Sequence, residues 1–113
     1  IHEKTETMKR ALDKWVAHRR YVLNDQTIDD IAADLGFDRF FFAWYFTNEL
    51  HTTFRTWRTE LRIKEAQRLL SEEDAAVASL HLKVGISDKS NFYKHFKAHT
   101  GMTPTEYKKS AQK

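Results

Sequence analysis

Cysteine is absent from this 113-residue chain, proline occurs once and glycine three times. The first absence excludes disulfides and thiolate metal sites, and suits a cytoplasmic protein. Few helix breakers and no β-branched runs point to an all-α protein. No apolar run is long enough to span a membrane and no signal-peptide pattern is present, so membrane contact by this segment is not expected. A P-loop, a nucleotide-binding glycine pattern, a nucleophile elbow and an HExxH sequence are also missing. His95 and His99 have the i, i+4 spacing of a metal-binding pair, but no third ligand accompanies them. Neither catalysis, a cofactor nor a metal site is therefore expected. The chain begins with Ile1 rather than Met, as expected of a segment of a longer protein.

What is present is a repeat. Ile28 opens the pattern I-x-x-I-A-x-x-L-G-F, ending at Leu35-Gly36-Phe37; Val77 opens V-x-x-L-x-x-x-V-G-I, ending at Val84-Gly85-Ile86, 49 residues further on. Each copy is a short apolar-periodic helix, stopped by glycine and followed by a second helical segment, which is the pattern of a helix-turn-helix unit. With 41% hydrophobic and 13% aromatic residues the chain can build a real core. Its length suits one compact domain or two small subdomains sharing a connector.

The net charge of +3 is unevenly spread. Residues 1–24 are net +3, residues 25–50 net −5, residues 51–74 neutral, residues 75–104 net +3 and residues 105–113 net +2. The second unit is therefore suited to a polyanion and the first is not.

Periodicity predicts seven helices. The first covers residues 4–23, with Met8, Leu12, Trp15, Val16 and Val22 as its apolar stripe. Thr27 is the expected N-cap of the next, with Asp30 placed for a capping box; Ile28, Ile31, Ala32 and Leu35 form its buried face. Gly36 ends it, and Asp38 caps a helix to about Asn48. A connector runs from Phe54 to Leu70, followed by a solvated acidic link at Ser71–Asp74. The second unit runs from Ala75 to His99, with Ser87 or Asp88 capping its second helix, and a last helix covers Pro104 to Ala111. The expected division is 1–53, first helix and first unit; 54–71, connector; 72–113, second unit and terminal helix. A 17-residue connector spans about 25 Å. If both recognition helices face one side, their separation approaches one turn of DNA, about 34 Å.

Three stretches resemble the DNA-binding domain of AraC/XylS-type bacterial transcription regulators. They are the segment from Gly85 to Lys97, the T-G-x-T-P-x-E-Y-like run from Thr100 to Tyr107, and the R-I-x-x-A-x-x-L-L-like run from Arg62 to Leu70. With the first unit, the resemblance covers roughly residues 5 to 109. Departures are visible: Leu50-His51 stand where the first unit would close with Thr-Gly, His81 stands at the close helix approach matched by Ala32, and Asn91 and His95 are polar at usually apolar positions. The resemblance implies sequence-specific binding of double-stranded DNA by an output domain, with a sensory domain elsewhere in the protein.

In the second unit Phe92 and Phe96 belong to the core, leaving Lys89, Ser90, Tyr93 and Lys94 on the opposite face, where the resemblance also puts base-facing positions. Lysine donates to guanine, serine donates or accepts, and tyrosine bonds a phosphate or presses on a thymine methyl. In the first unit seven of the ten residues 37–46 are aromatic. Phe37, Phe41, Phe42, Tyr45 and Phe46 match packing positions, whereas Phe40, Ala43 and Trp44 match base-facing ones. Phe40 and Trp44 are expected to share a face. That face fits thymine methyls, a docked protein (a sensory domain, a second copy or RNA polymerase), or packing under the first helix or the connector, and the alternative reading of the whole chain is a protein-interaction module with weak DNA binding. Phosphate contacts are expected from Arg39, Thr27, Arg58, Arg62 and Lys97; pairing with neighbours such as Glu65 is the competing fate of the connector arginines.

Overall fold

The computed structural model describes residues 1–112. Seven α-helices and one 3-10 turn make up its regular structure, with no strand among the described residues. They are α1 (His2–Ala17), the 3-10 turn (Arg20–Val22), α2 (Ile28–Asp34), α3 (Arg39–Glu49), α4 (Phe54–Glu72), α5 (Val77–Lys83), α6 (Lys89–Thr100) and α7 (Pro104–Ala111). The expected all-α class and helix order hold. The chain divides within the connector into two compact units, residues 1–57 and the described residues from 58 onward.

The first unit is held by an aromatic cluster. Trp15, Phe42, Phe46, Phe54 and Trp57 pack with ring centroids 5.1–5.9 Å apart. Met8, Leu12, Ile31 and Ala32 complete the seal. Burying rings of this size supplies much of a small core's stability, and truncating one to alanine costs about 3–5 kcal/mol.

The first helix is shorter than its periodicity predicts. It ends at Ala17, and Arg19 turns left-handed at φ +54° before the 3-10 turn. The His18 amide N–H donates to the Lys14 carbonyl, and the His18 ring pairs with the same oxygen at 2.9 Å. The reversal re-aims the chain so that Tyr21 is buried against Trp15, at 6.3 Å between ring centroids, while Val22 is only half-buried.

The second unit buries Ile63, Ala66, Leu70, Leu80, Val84, Ile86, Phe92 and Phe96, with Tyr107 of α7 packed against Phe96 edge-on at 5.6 Å. The stretch expected to be a solvated acidic link is exposed, and it is also tied down. Helix α4 continues to Glu72, and Arg68 forks onto both oxygens of Glu65 at 2.9 Å while its remaining nitrogen reaches Glu73. Asp74, left-handed at φ +50°, pairs with Lys108 at 3.2 Å and accepts from Gln112 at 2.8 Å. Glu65 and Glu73 hold the Arg68 guanidinium well above its ordinary pKa, the Glu65 hydrogen bonds contributing most.

Candidate nucleic-acid interface

Both units use one turn. Gly36 and Gly85 sit at φ +91° and +88°, a conformation that disfavours residues with a Cβ. The Phe37 N–H then donates to Ala32 O, and the Ile86 N–H to His81 O, each at 2.9 Å. The turns differ in length, however. The N-caps of the first helices, Thr27 and Ala76, are 49 residues apart, but those of the second helices, Asp38 and Asp88, are 50 apart. The second turn therefore holds one extra residue, and α3 pairs with α6 at an offset of 50. His81 is accommodated where crowding was expected: its Nδ1 lies 2.9 Å from Ile86 O, adding a side-chain bond across the turn that Ala32 cannot make. That partner is a carbonyl, so Nδ1 carries the proton.

The recognition helices start from carboxylate caps. Asp88 accepts from the Asn91 N–H at 2.9 Å, selecting Asp88 over Ser87. Asp38 accepts from the Phe40 and Phe41 N–H groups at 3.0 and 2.9 Å. The bond from Phe41 does most to hold the Asp38 carboxyl below its usual range; burial opposes it, and Phe40 and Lys4 assist.

On α6, Phe92 and Phe96 are fully buried. Lys89, Ser90 and Lys94 are exposed on the other side, with Tyr93 half-buried among them. Tyr93 leans on the core edge-on to Phe92, and the Lys89 ammonium stands 5.9 Å over its ring. Lys89, Ser90 and Tyr93 line an open hollow of about 490 Å³. One helix face thus gathers two ammonium groups and two hydroxyls, the mixture of donors and acceptors that base edges and phosphates require.

Helix α3 is different. Phe42 and Phe46 are buried as Phe92 and Phe96 are, so its outward face is equally determined. Phe40 is 73% exposed and Ala43 is exposed beside it. Trp44 does not share their environment as expected. It is half-buried and stacked on Phe41 at 5.6 Å, which in turn stacks on Phe37 at 5.5 Å. Phe41 itself is only half-buried, with the Lys4 ammonium 4.3 Å from its ring centre. A groove of about 640 Å³ runs beside Phe40, lined by Ile28, Phe42, Ala43, Thr47 and Phe54 among others.

The expected phosphate contacts divide. Lys97 is exposed at the end of α6, where its charge helps depress the Glu106 carboxyl after the hydrogen bonds from Thr103. Arg39 is exposed but lies 3.6 Å from Asp29, with its guanidinium 5.0 Å over the Phe40 ring. Asp29 was missed in the sequence because the pair crosses the turn rather than following helical spacing. Thr27 is exposed, yet its oxygen accepts from the Asp30 N–H and the Asp30 carboxylate returns the bond, completing the capping box. Arg58 is half-buried. Arg62 departs from expectation: it is 7% exposed, and burial, with the nearby Arg58 charge, lowers its pKa to about 10. A side chain so enclosed is not available to a phosphate. Glu65, also buried, binds Arg68.

Two turn-linked helix pairs in one chain, each with a capped second helix anchored by a phenylalanine pair, define a tandem helix-turn-helix protein. A family model described as a helix-turn-helix domain matches residues 41–110, and the chain belongs to that family, in its AraC-type branch. It is similar to the melibiose operon regulatory protein of Escherichia coli K12, at 29% identity over 86 residues, covering 76% of this chain and 28% of that protein. It is also similar to the raffinose operon transcriptional regulatory protein RafR of Pediococcus pentosaceus, at 32% identity over 84 residues, covering 74% of this chain and 30% of that protein. The chain thus spans about a third of the length of these curated relatives. Its fold matches that of an AraC-type transcriptional regulator from Chromobacterium violaceum, with a TM-score of 0.79 at 22% identity over 98% of this chain and 96% of that one. It also matches the DNA-binding domain of AdpA in complex with a target DNA, with a TM-score of 0.78 at 20% identity over 92% and 91%. No helix among the described residues is long and apolar enough to cross a membrane.

Proposed function

We propose that this chain binds double-stranded DNA sequence-specifically, as the output domain of a transcription regulator acting in the cytoplasm. The observation that carries the proposal is the α6 face: Lys89, Ser90 and Lys94 stand exposed around Tyr93 while Phe92 and Phe96 lock the back of the helix. A helix held this way enters a major groove by its N-terminal turns and puts donors against base edges. Lys97 and the basic residues of α1 add phosphate attraction, while the net −5 of residues 25–50 weakens it in the first unit. The second unit accordingly supplies most of the affinity. Two non-identical units call for an asymmetric site rather than the palindrome that a two-fold dimer reads. For the whole protein, the partners assigned alongside DNA are a sensory part on the remaining length and RNA polymerase.

Retention on a nonspecific DNA column across a salt gradient tests the reading. The chain is expected to elute late, and a Lys89→Ala/Lys94→Ala double variant early. Early elution of the unmodified chain refutes DNA binding by this face.

A further inference from the structure

The caps and buried phenylalanines align α3 with α6 residue by residue, so Phe40 stands where Ser90 does and Ala43 where Tyr93 does. The chemistry of those positions is inverted. Where α6 offers ammonium and hydroxyl groups, the corresponding turns of α3 offer a phenyl ring and a methyl. The Trp44 indole is drawn aside by its stack on Phe41, and the Arg39 guanidinium is engaged by Asp29. The one hydroxyl of the groove on this helix, Thr47, lies about 10 Å further along the axis than Phe40. Apart from Arg39, whose exposed guanidinium is held toward Asp29, no side chain in the first two turns of this face is placed to donate to or accept from a base edge. The only apolar feature that the major groove presents is the C5-methyl of thymine, which 5-methylcytosine also carries.

A protein partner fits less well. Phe40 is the only large apolar residue of α3 that is fully exposed, and one ring of about 150–250 Å² is far below the roughly 800 Å² per partner of a stable protein interface. One ring beside a groove whose lining mixes Ile28, Phe42, Ala43 and Phe54 with Asp29, Arg39 and Arg55 does match a methyl group. Resting on the DNA-binding reading above, we propose that the first unit recognises its half-site through pyrimidine C5-methyl groups, with Phe40 as the specificity-determining residue and Ala43 leaving room for the methyl.

The test starts with duplexes selected from a random pool by the unmodified chain. Each thymine of the selected duplex is then replaced singly by deoxyuridine, which removes the methyl and nothing else. At one or two positions affinity is expected to fall about 3- to 5-fold, the worth of one buried methyl. Phe40→Ala should bind the thymine and deoxyuridine duplexes equally at those positions, whereas Lys94→Ala should bind both more weakly and still distinguish them. Phe40 is exposed, so its truncation leaves the core intact, which circular dichroism verifies. Selection of a Lys94-dependent site with no methyl-sensitive thymine overturns the methyl readout alone. Methyl sensitivity that persists undiminished in Phe40→Ala overturns the assignment of the readout to Phe40. Failure to enrich any sequence overturns the DNA-binding reading and this inference together.

Discussion

Replacing Lys94 with alanine separates a cationic contribution from an aromatic one. Lys94 is exposed on the second turn of α6, between Tyr93 and the solvent-facing Lys97. Each phosphate charge neutralised by a lysine releases condensed counterions, so log K falls against log salt with a slope of about −0.9 per contact. Losing one such contact should flatten the slope by about 0.9. Between about 50 and 200 mM salt, the gap between Lys94→Ala and the unmodified chain should then narrow by about 3- to 4-fold. Trp44→Ala is the control from the other unit. Its indole is half-buried against Phe41 and carries no charge, so the variant changes stability or affinity without changing the slope. Fluorescence anisotropy with a labelled duplex at several salt concentrations measures both slopes. Equal flattening by the two substitutions, or none by Lys94→Ala, would refute the assignment of electrostatic affinity to α6.

Asp29→Asn should act in the opposite direction, because it frees the exposed Arg39 from a 3.6 Å ion pair: affinity rises and the salt slope steepens by up to about 0.9, while stability shifts by less than about 1 kcal/mol. Unchanged binding would show that Arg39 never meets a phosphate. His51 holds φ +55° after α3, where Thr52 N–H reaches Phe46 O at 3.1 Å, whereas Gly101 holds φ +78° after α6. Relief of left-handed strain outweighs the added chain entropy, so His51→Gly should stabilise by about 0.5–1 kcal/mol in urea unfolding; destabilisation would contradict this. The folded pKa of Asp38 is depressed below its ordinary value of 3.8, so the stability its ionised cap contributes is complete above that value and is lost as pH falls through the depressed one. Asp38→Asn keeps an acceptor but does not titrate. The advantage of the unmodified chain over this variant should therefore hold steady above the ordinary carboxylate range and shrink as pH falls below 3.8, and a constant gap would exclude the carboxylate as its source.

Local rules carried much of the architecture. Thr27 with Asp30, and Gly36, Asp38, Asp88 and Pro104, act on the few residues beside them, and the helix ends they predict are the ones observed. The pairs Phe42/Phe46 and Phe92/Phe96 determine which side of each recognition helix is outward, since residues four apart share a face. Charge counting likewise set the basic second unit apart from the acidic first.

Other features depended on groups distant in sequence. No local signal marks the reversal at Arg19, because Tyr21 is drawn inward by Trp15 of a helix that has already ended. Phe40 and Trp44 have the same helical spacing as a core pair, yet Phe40 is solvent-exposed and Trp44 is half-buried on Phe41, a ring that also meets the Lys4 ammonium of α1. Arg39 and Arg62 both read as surface cations. The first is engaged across the turn by Asp29 and the second is enclosed beside the core of its unit. Helical periodicity and capping act over one or two turns of chain and are legible in sequence, whereas the availability of a charge or a ring depends on which other elements pack over it, and that is set by the tertiary fold.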